Sequence, residues 1–165
     1  MDYNQVKAIY KCLNREDVKS REGIARIFEQ GGHLWATNGY IALDICEVTS
    51  EYENKCMTLD SIKEWLKLHS KRDCLTLDDF IENDKGSPLM TQLVDDQFAP
   101  ALDPWFDIDL LKVCADFLGV NYVRLLQAKR HSNLMRVMPC DLNGMPILYK
   151  SMECKAYIMR VAKRG

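Results

Sequence analysis

Histidines, cysteines and paired carboxylates are the side chains best equipped for chemistry, and this 165-residue sequence holds three histidines and seven cysteines. His33, His69 and His131 are far apart, and none has a carboxylate or cysteine at metal-ligand spacing. Cys12, Cys46, Cys56, Cys74, Cys114, Cys140 and Cys154 form no CxxC pair, and most sit in apolar stretches such as ALDICEV and LLKVCADFL. They read as reduced, buried packing residues. The acidic pairs Asp78-Asp79 and Asp95-Asp96 have the residue type for general acid and base work or for divalent cations, but their places beside strand ends and turns suit solvated loop carboxylates. The sequence has no GxSxG nucleophile turn, no GxxxxGK[ST] phosphate cradle, no GxGxxG and no HExxH. The expectation is a protein that performs no covalent chemistry and needs no metal or cofactor.

Spaced cations are the one feature aimed at a polyanion. Lys7, Lys11 and Arg15 recur every four residues, as do Lys63, Lys67 and Lys71. On helices such spacing makes one basic stripe, able to touch successive phosphates without reading bases. The same stripe also suits an ordinary solvated helix face. The tryptophans do not read as base-stacking platforms. Trp35, Trp65 and Trp105 are not interleaved with exposed cations on a strand face, so they are expected in the core.

The elements carrying these residues follow from periodicity. Val6, Ile9, Tyr10 and Leu13 predict an amphipathic helix over Tyr3 to Arg15. GIARIFEQ, GHLWAT and YIALDICEV then predict a three-stranded meander, with Gly31-Gly32 and Asn38-Gly39 as turns. KCMTL predicts a strand, and Asp60 is the expected cap of a helix through SIKEWLKLHSK. CLTLDDFIEN and SPLMTQLV read as further strands. After a connector with two prolines, FDIDLLKVCADFLG predicts a third helix ended by Gly119, followed by strands at YVRLLQAKR, NLMRVMPC, PILYK and KAYIMRVA. The chain thus reads as three passes of a helix with several strands, a weak internal repeat of structure without residue identity. Residues 1–100 are expected to form a domain of two such units, with 101–165 a third half-unit packed on it.

A hydrophobic content of 47% is enough for a sizeable core, and no apolar run approaches a membrane span. The N-terminus MDYNQVKAIY has no basic-then-apolar order, which predicts a cytoplasmic location without membrane partners. The net charge of −2 excludes the overall basic excess of a dedicated tight nucleic-acid binder, so any DNA contact must come from where charges are placed.

One segment is more specific than these patterns. Gly32 to Ile45, GHLWATNGYIALDI, resembles the signature hairpin of the bacterial DNA sliding clamp, the beta subunit of DNA polymerase III. Ala36, Thr37, Gly39 and Tyr40 match the family's apolar strand, Ala-Thr-Asp-Gly turn and following aromatic or histidine. Asn38 replaces the usual Asp, and Ile41 the usual Arg. LMTQLVDDQFAPAL is similar to a later family stretch, and KAYIMRVAKRG resembles the final strand with its Met-Pro-Met-Arg end, lacking the proline.

The resemblance implies an α+β fold of DNA-clamp-like repeated βαβββ units, with helices on one face of antiparallel sheets. It also implies a partner-binding cleft at Thr37, Gly39, Tyr40, Met159 and Arg160, while the two basic stripes make Lys7, Lys11, Arg15, Lys63, Lys67 and Lys71 the expected DNA contacts. The expected function is a clamp-like, non-enzymatic DNA replication accessory protein that meets duplex DNA non-specifically through its backbone, tethers replication proteins, or does both. The chain is shorter than a full clamp subunit, so a closed ring would need a homo-oligomer. The alternative is a clamp-derived interaction protein of a phage or mobile element, which binds and modulates a host replication or defence protein without encircling DNA.

Overall fold

A computed structural model describes residues 1–90, 93, 97–100, 106–131 and 133–159. Arg160, Trp105 and the Asp95-Asp96 pair lie outside the described residues. The fold is mixed α and β, with one large antiparallel sheet and five helices among the described residues.

The first helix, α1 (Tyr3–Leu13), starts where the periodicity places it. Asp2 accepts from the Gln5 amide at 2.9 Å while the Gln5 side chain returns a bond to the Asp2 amide, a capping box worth about 1 kcal/mol. The helix stops at Leu13, so Arg15 falls outside it and precedes a short helix α2 (Glu16–Lys19). The meander follows as β1 (Arg26–Gln30), β2 (His33–Thr37) and β3 (Ile41–Glu47), each antiparallel to the next.

After β4 (Lys55–Thr58) comes α3 (Leu59–Leu68), capped by Thr58 rather than by the expected Asp60, which lies in its first turn. The helix ends before Lys71. His69 leaves in extended conformation, stacked on Trp65 with ring centroids 4.5 Å apart, and Asp73 captures the Ser70 amide in a local turn. CLTLDDFIEN is not the expected strand. Asp79 accepts from the amide and hydroxyl of Thr76, which winds Leu77–Asp79 into a turn of 3-10 helix and leaves only a two-residue β5 (Ile81–Glu82).

The last third holds β6 (Phe98–Pro100), α4 (Ile108–Leu118), β7 (Tyr122–Ala128), β8 (Leu134–Cys140), α5 (Leu148–Glu153) and β9 (Lys155–Met159). Asp107 caps α4, and Gly119 ends it at φ +66°, the left-handed conformation that glycine adopts without strain. PILYK, expected as a strand, instead leads into α5, where the Ser151 hydroxyl bonds to the Leu148 carbonyl. β9 covers β8 only from Leu134 to Val137, and past it the segment makes a single bridge, Pro146 to Cys140, with the Ile147 amide on the Pro139 carbonyl at 2.9 Å, before it turns into α5.

The nine strands lie in the order β5-β4-β1-β2-β3-β9-β8-β7-β6. Two segments, α1–β1–β2–β3 with α2 inserted before β1 and α4–β7–β8–β9 with α5 inserted before β9, meet where β3 pairs with β9, from Ile41 opposite Ile158 to Asp44 opposite Lys155. The helices α1, α3 and α4 share one face, and α1 packs between the other two. Strand alternation sends Ile27, Leu43, Val137 and Ile158 toward these helices, and Phe28, Trp35, Ala42 and Tyr157 to the opposite face. Five cysteines are buried as expected. Cys46 is partly exposed and Cys74 is exposed, because Cys74 lies in an outer bridge to Asp2.

Candidate functional site

The β2–β3 hairpin ends in a turn built by side chains. The Thr37 hydroxyl donates to the Ile41 carbonyl at 2.7 Å and accepts from the Gly39 amide at 3.1 Å. Asn38 is wholly buried, and its Oδ1 accepts from the amides of Tyr40 and Ile41, each at 2.9 Å. Its Nδ2 donates to the Cys12 carbonyl at 3.2 Å, which fastens the turn to the end of α1. An aspartate could accept the same two bonds but could not make that donation. Asparagine is therefore the residue this turn requires, and its difference from the clamp hairpin is larger than similar turn propensity suggests. Gly39 sits at φ +88°.

Ile41, where the clamp pattern has arginine, is 2% exposed and packs in the core beneath the helices. An arginine side chain there would carry a charge into apolar surroundings. The apolar residue follows from the packing.

The end of β9 closes on this turn, because the Met159 amide donates to the Tyr40 carbonyl at 2.7 Å. Residues more than a hundred positions apart thereby line one cavity of about 150 Å³: Thr37, Gly39, Tyr40 and Met159, with Leu134 and Tyr157. Among the described residues no charged side chain lines it. An apolar space of about that size holds one benzene-sized group. Tyr157 is nearly buried, and that burial pushes its phenol up to about 12, opposed by Arg136 and reinforced by Asp44. Tyr157 therefore puts no charge into the groove wall at neutral pH. Tyr40 and Met159 stand at its mouth, 48% and 40% exposed. Four of the five expected cleft residues are thus brought together, and the fifth, Arg160, lies outside the described residues.

Leu134, Tyr157 and Met90 also face the groove, and sequence reasoning did not single them out. Tyr157 could have been found from its place two residues before Met159, since residues two apart on a strand share a face. Leu134 and Met90 carry no such signal.

The six expected DNA-binding cations divide differently. Lys7 and Lys11 are exposed on α1, and Lys63 and Lys67 on α3. Lys11 faces Asp116 of α4 at 3.6 Å, Asp116 also holds Lys112 at 3.2 Å, and Lys67 holds Glu64 at 2.6 Å. Lys7, Lys63 and Lys71 have no ion pair among the described residues, and Lys71 lies in the turn beyond α3. Arg15 is not on the stripe at all. Its guanidinium lies over the Tyr40 ring, 5.4 Å from the centroid, with Nε on Asp17 at 3.2 Å.

A larger open cavity of about 960 Å³ separates α3 from the α2–β1 connection, but its charges cancel. Arg26 there faces Asp84 at 3.5 Å, and Lys85 faces Glu22 at 3.1 Å. Among the described residues no group of three or more His, Cys, Asp or Glu is arranged to hold a metal ion, and no helix is long and apolar enough to cross a membrane. Compared with known protein families, curated proteins and solved structures, the chain matches none.

Proposed function

We propose that the protein is a non-enzymatic, clamp-like accessory factor of DNA replication that works by holding a partner protein in the hairpin groove. One observation carries this reading. The hairpin that resembles the sliding-clamp signature and the far end of the chain converge on a single apolar groove, with Thr37, Gly39, Tyr40 and Met159 in its wall. A small apolar pocket bordered by backbone suits one anchoring side chain of an extended peptide. The order of the sheet supports the clamp-like part of the reading. Two helix-then-three-strand segments face each other across β3 and β9, each with a further strand at its outer side, β4 and β6, and their helices lie on one face.

The DNA part of the reading rests on Lys7, Lys63 and Lys71, with cytoplasmic duplex DNA as the expected partner and several copies needed for a closed ring. The alternative, an interaction protein of a phage or mobile element that binds a host replication or defence protein without encircling DNA, is favoured by the pairing of Lys11 and Lys67 with acids on the same face. Two measurements test these readings on the whole chain. Titrating a short Leu-Phe-containing peptide into isotope-labelled protein should shift the amide resonances of Thr37, Tyr40 and Met159, and unchanged spectra would remove the groove reading. Binding to a duplex across a salt series should give a slope that falls when Lys7 and Lys63 become alanine. Indifference to both substitutions would leave the interaction protein.

A further inference from the structure

We propose that the partner segment seated in the hairpin groove is acidic beside its apolar anchor, its carboxylates being met by Arg15 and Arg21. This rests on the groove being a peptide site. Among the described residues the wall of the groove carries no charged side chain, and the cations stand at its rim. Two guanidinium groups lie beside residues that line the groove. That of Arg15 covers the Tyr40 ring, and Nη1 of Arg21 lies 3.6 Å from where a Cβ on Gly39 would stand.

The acids around this rim do not use up both cations. Asp17 holds only the Nε of Arg15, Glu16 is paired with Lys19, and Glu22 with Lys85. Arg21 is exposed, and its guanidinium has no ion pair or hydrogen bond among the described residues. Among the described residues the rim therefore keeps a positive excess beside the groove. Guanidinium groups recognise carboxylates through paired N–H donors, and an arginine already resting on an aromatic ring is oriented before the partner arrives. An extended peptide that places an apolar side chain between Tyr40 and Met159 carries its neighbouring residues over the hairpin tip, where both arginines stand.

The test measures fluorescence anisotropy of labelled short peptides with a Leu-Phe anchor flanked by Asp, by Asn or by Lys, added to the full chain. At low salt the Asp peptide should bind more tightly than the Asn peptide by roughly threefold for each arginine engaged, with the Lys peptide weakest. Arg21→Gln and Arg15→Gln should each narrow the gap between Asp and Asn peptides, and the double variant should close it. Added salt should narrow the gap in the same way. Met159→Lys, checked for folding by circular dichroism, should abolish binding of every peptide. Equal affinity for Asp and Asn peptides, with Met159→Lys still abolishing both, would overturn the acidic preference and leave the groove intact. Failure of all peptides to bind, or Asp-peptide binding indifferent to Met159→Lys, would overturn the groove and the preference together.

Discussion

The hairpin groove and the helix face are both made of residues that stand out in the sequence, yet the fold treats them in opposite ways. At the groove, Thr37, Gly39, Tyr40 and Met159 come from distant positions and end in one wall. On the helix face, cations evenly spaced in sequence are separated or neutralised. Arg15 leaves the stripe for Tyr40, Lys71 passes beyond the end of α3, and Lys11 and Lys67 meet acids. Spacing along a helix shows where a charge points, but not which opposite charge a neighbouring element brings to it. A turn stitched by its own side chains carries its geometry within a few residues, so a local match survives into the fold.

The sharpest way to break the comparison is to attack that stitching. Asn38→Asp should destabilise the protein by roughly 3 kcal/mol at pH 7, because a buried carboxylate would oppose the Cys12 carbonyl at the present donor position. Chemical denaturation over pH makes the sign explicit. The new carboxyl would have its folded pKa raised above the unfolded value, so the loss should shrink as pH falls and protonation restores a donor toward Cys12. A variant as stable as the parent at pH 7 would mean that the turn is not held in this way. Gly39→Ala should cost less, about 1–2 kcal/mol. The nearest atom to the new Cβ is at an ordinary contact distance of 3.6 Å, so the cost comes from φ +88° alone. The shift of a urea midpoint measures it.

How much of this was legible in the sequence depends on the range of the forces involved. The three long helices and the meander follow from apolar periodicity and from capping residues such as Asp107 and Gly119, which act over a few positions. CLTLDDFIEN and PILYK were misread because each has strand-like apolar residues, while the outcome was decided by local bonds from Asp79 to Thr76 and from Ser151 to Leu148. The cleft residues were legible through likeness to a known hairpin. Leu134 and Met90 were not, since only the pairing of β8 with β9 and the path of the segment after β5 bring them to the groove. The ion pair between Lys11 and Asp116 was invisible for the same reason: 105 positions separate two residues that meet when α1 packs on α4.

Smaller effects should appear on the helix face, and they test whether its neutralisation limits DNA contact. Asp116→Asn would release both Lys11 and Lys112, adding two unpaired cations beside Lys7. If this face meets the duplex, affinity at low salt should rise several-fold, and the slope of log affinity against log salt should steepen by up to about 2. Unchanged slope and affinity would show that the face does not meet DNA, and the comparison would sharpen into one working region and one solvated region.

The smallest effect separates the cations from one another. Lys67→Ala should leave the denaturation midpoint essentially unchanged, as for other exposed pairs, because Lys67 and Glu64 are both more than half exposed. It should also reduce the DNA salt slope less than Lys63→Ala, since Lys67 already spends its charge on Glu64 while Lys63 has no ion pair among the described residues. Both residues lie on α3 and are exposed, so helix propensity and exposure barely distinguish the two substitutions. Equal losses of slope would mean that the pairing with Glu64 is too weak to matter near a polyanion. The even spacing of the stripe would then be a better guide to function than the ion pairs formed on it.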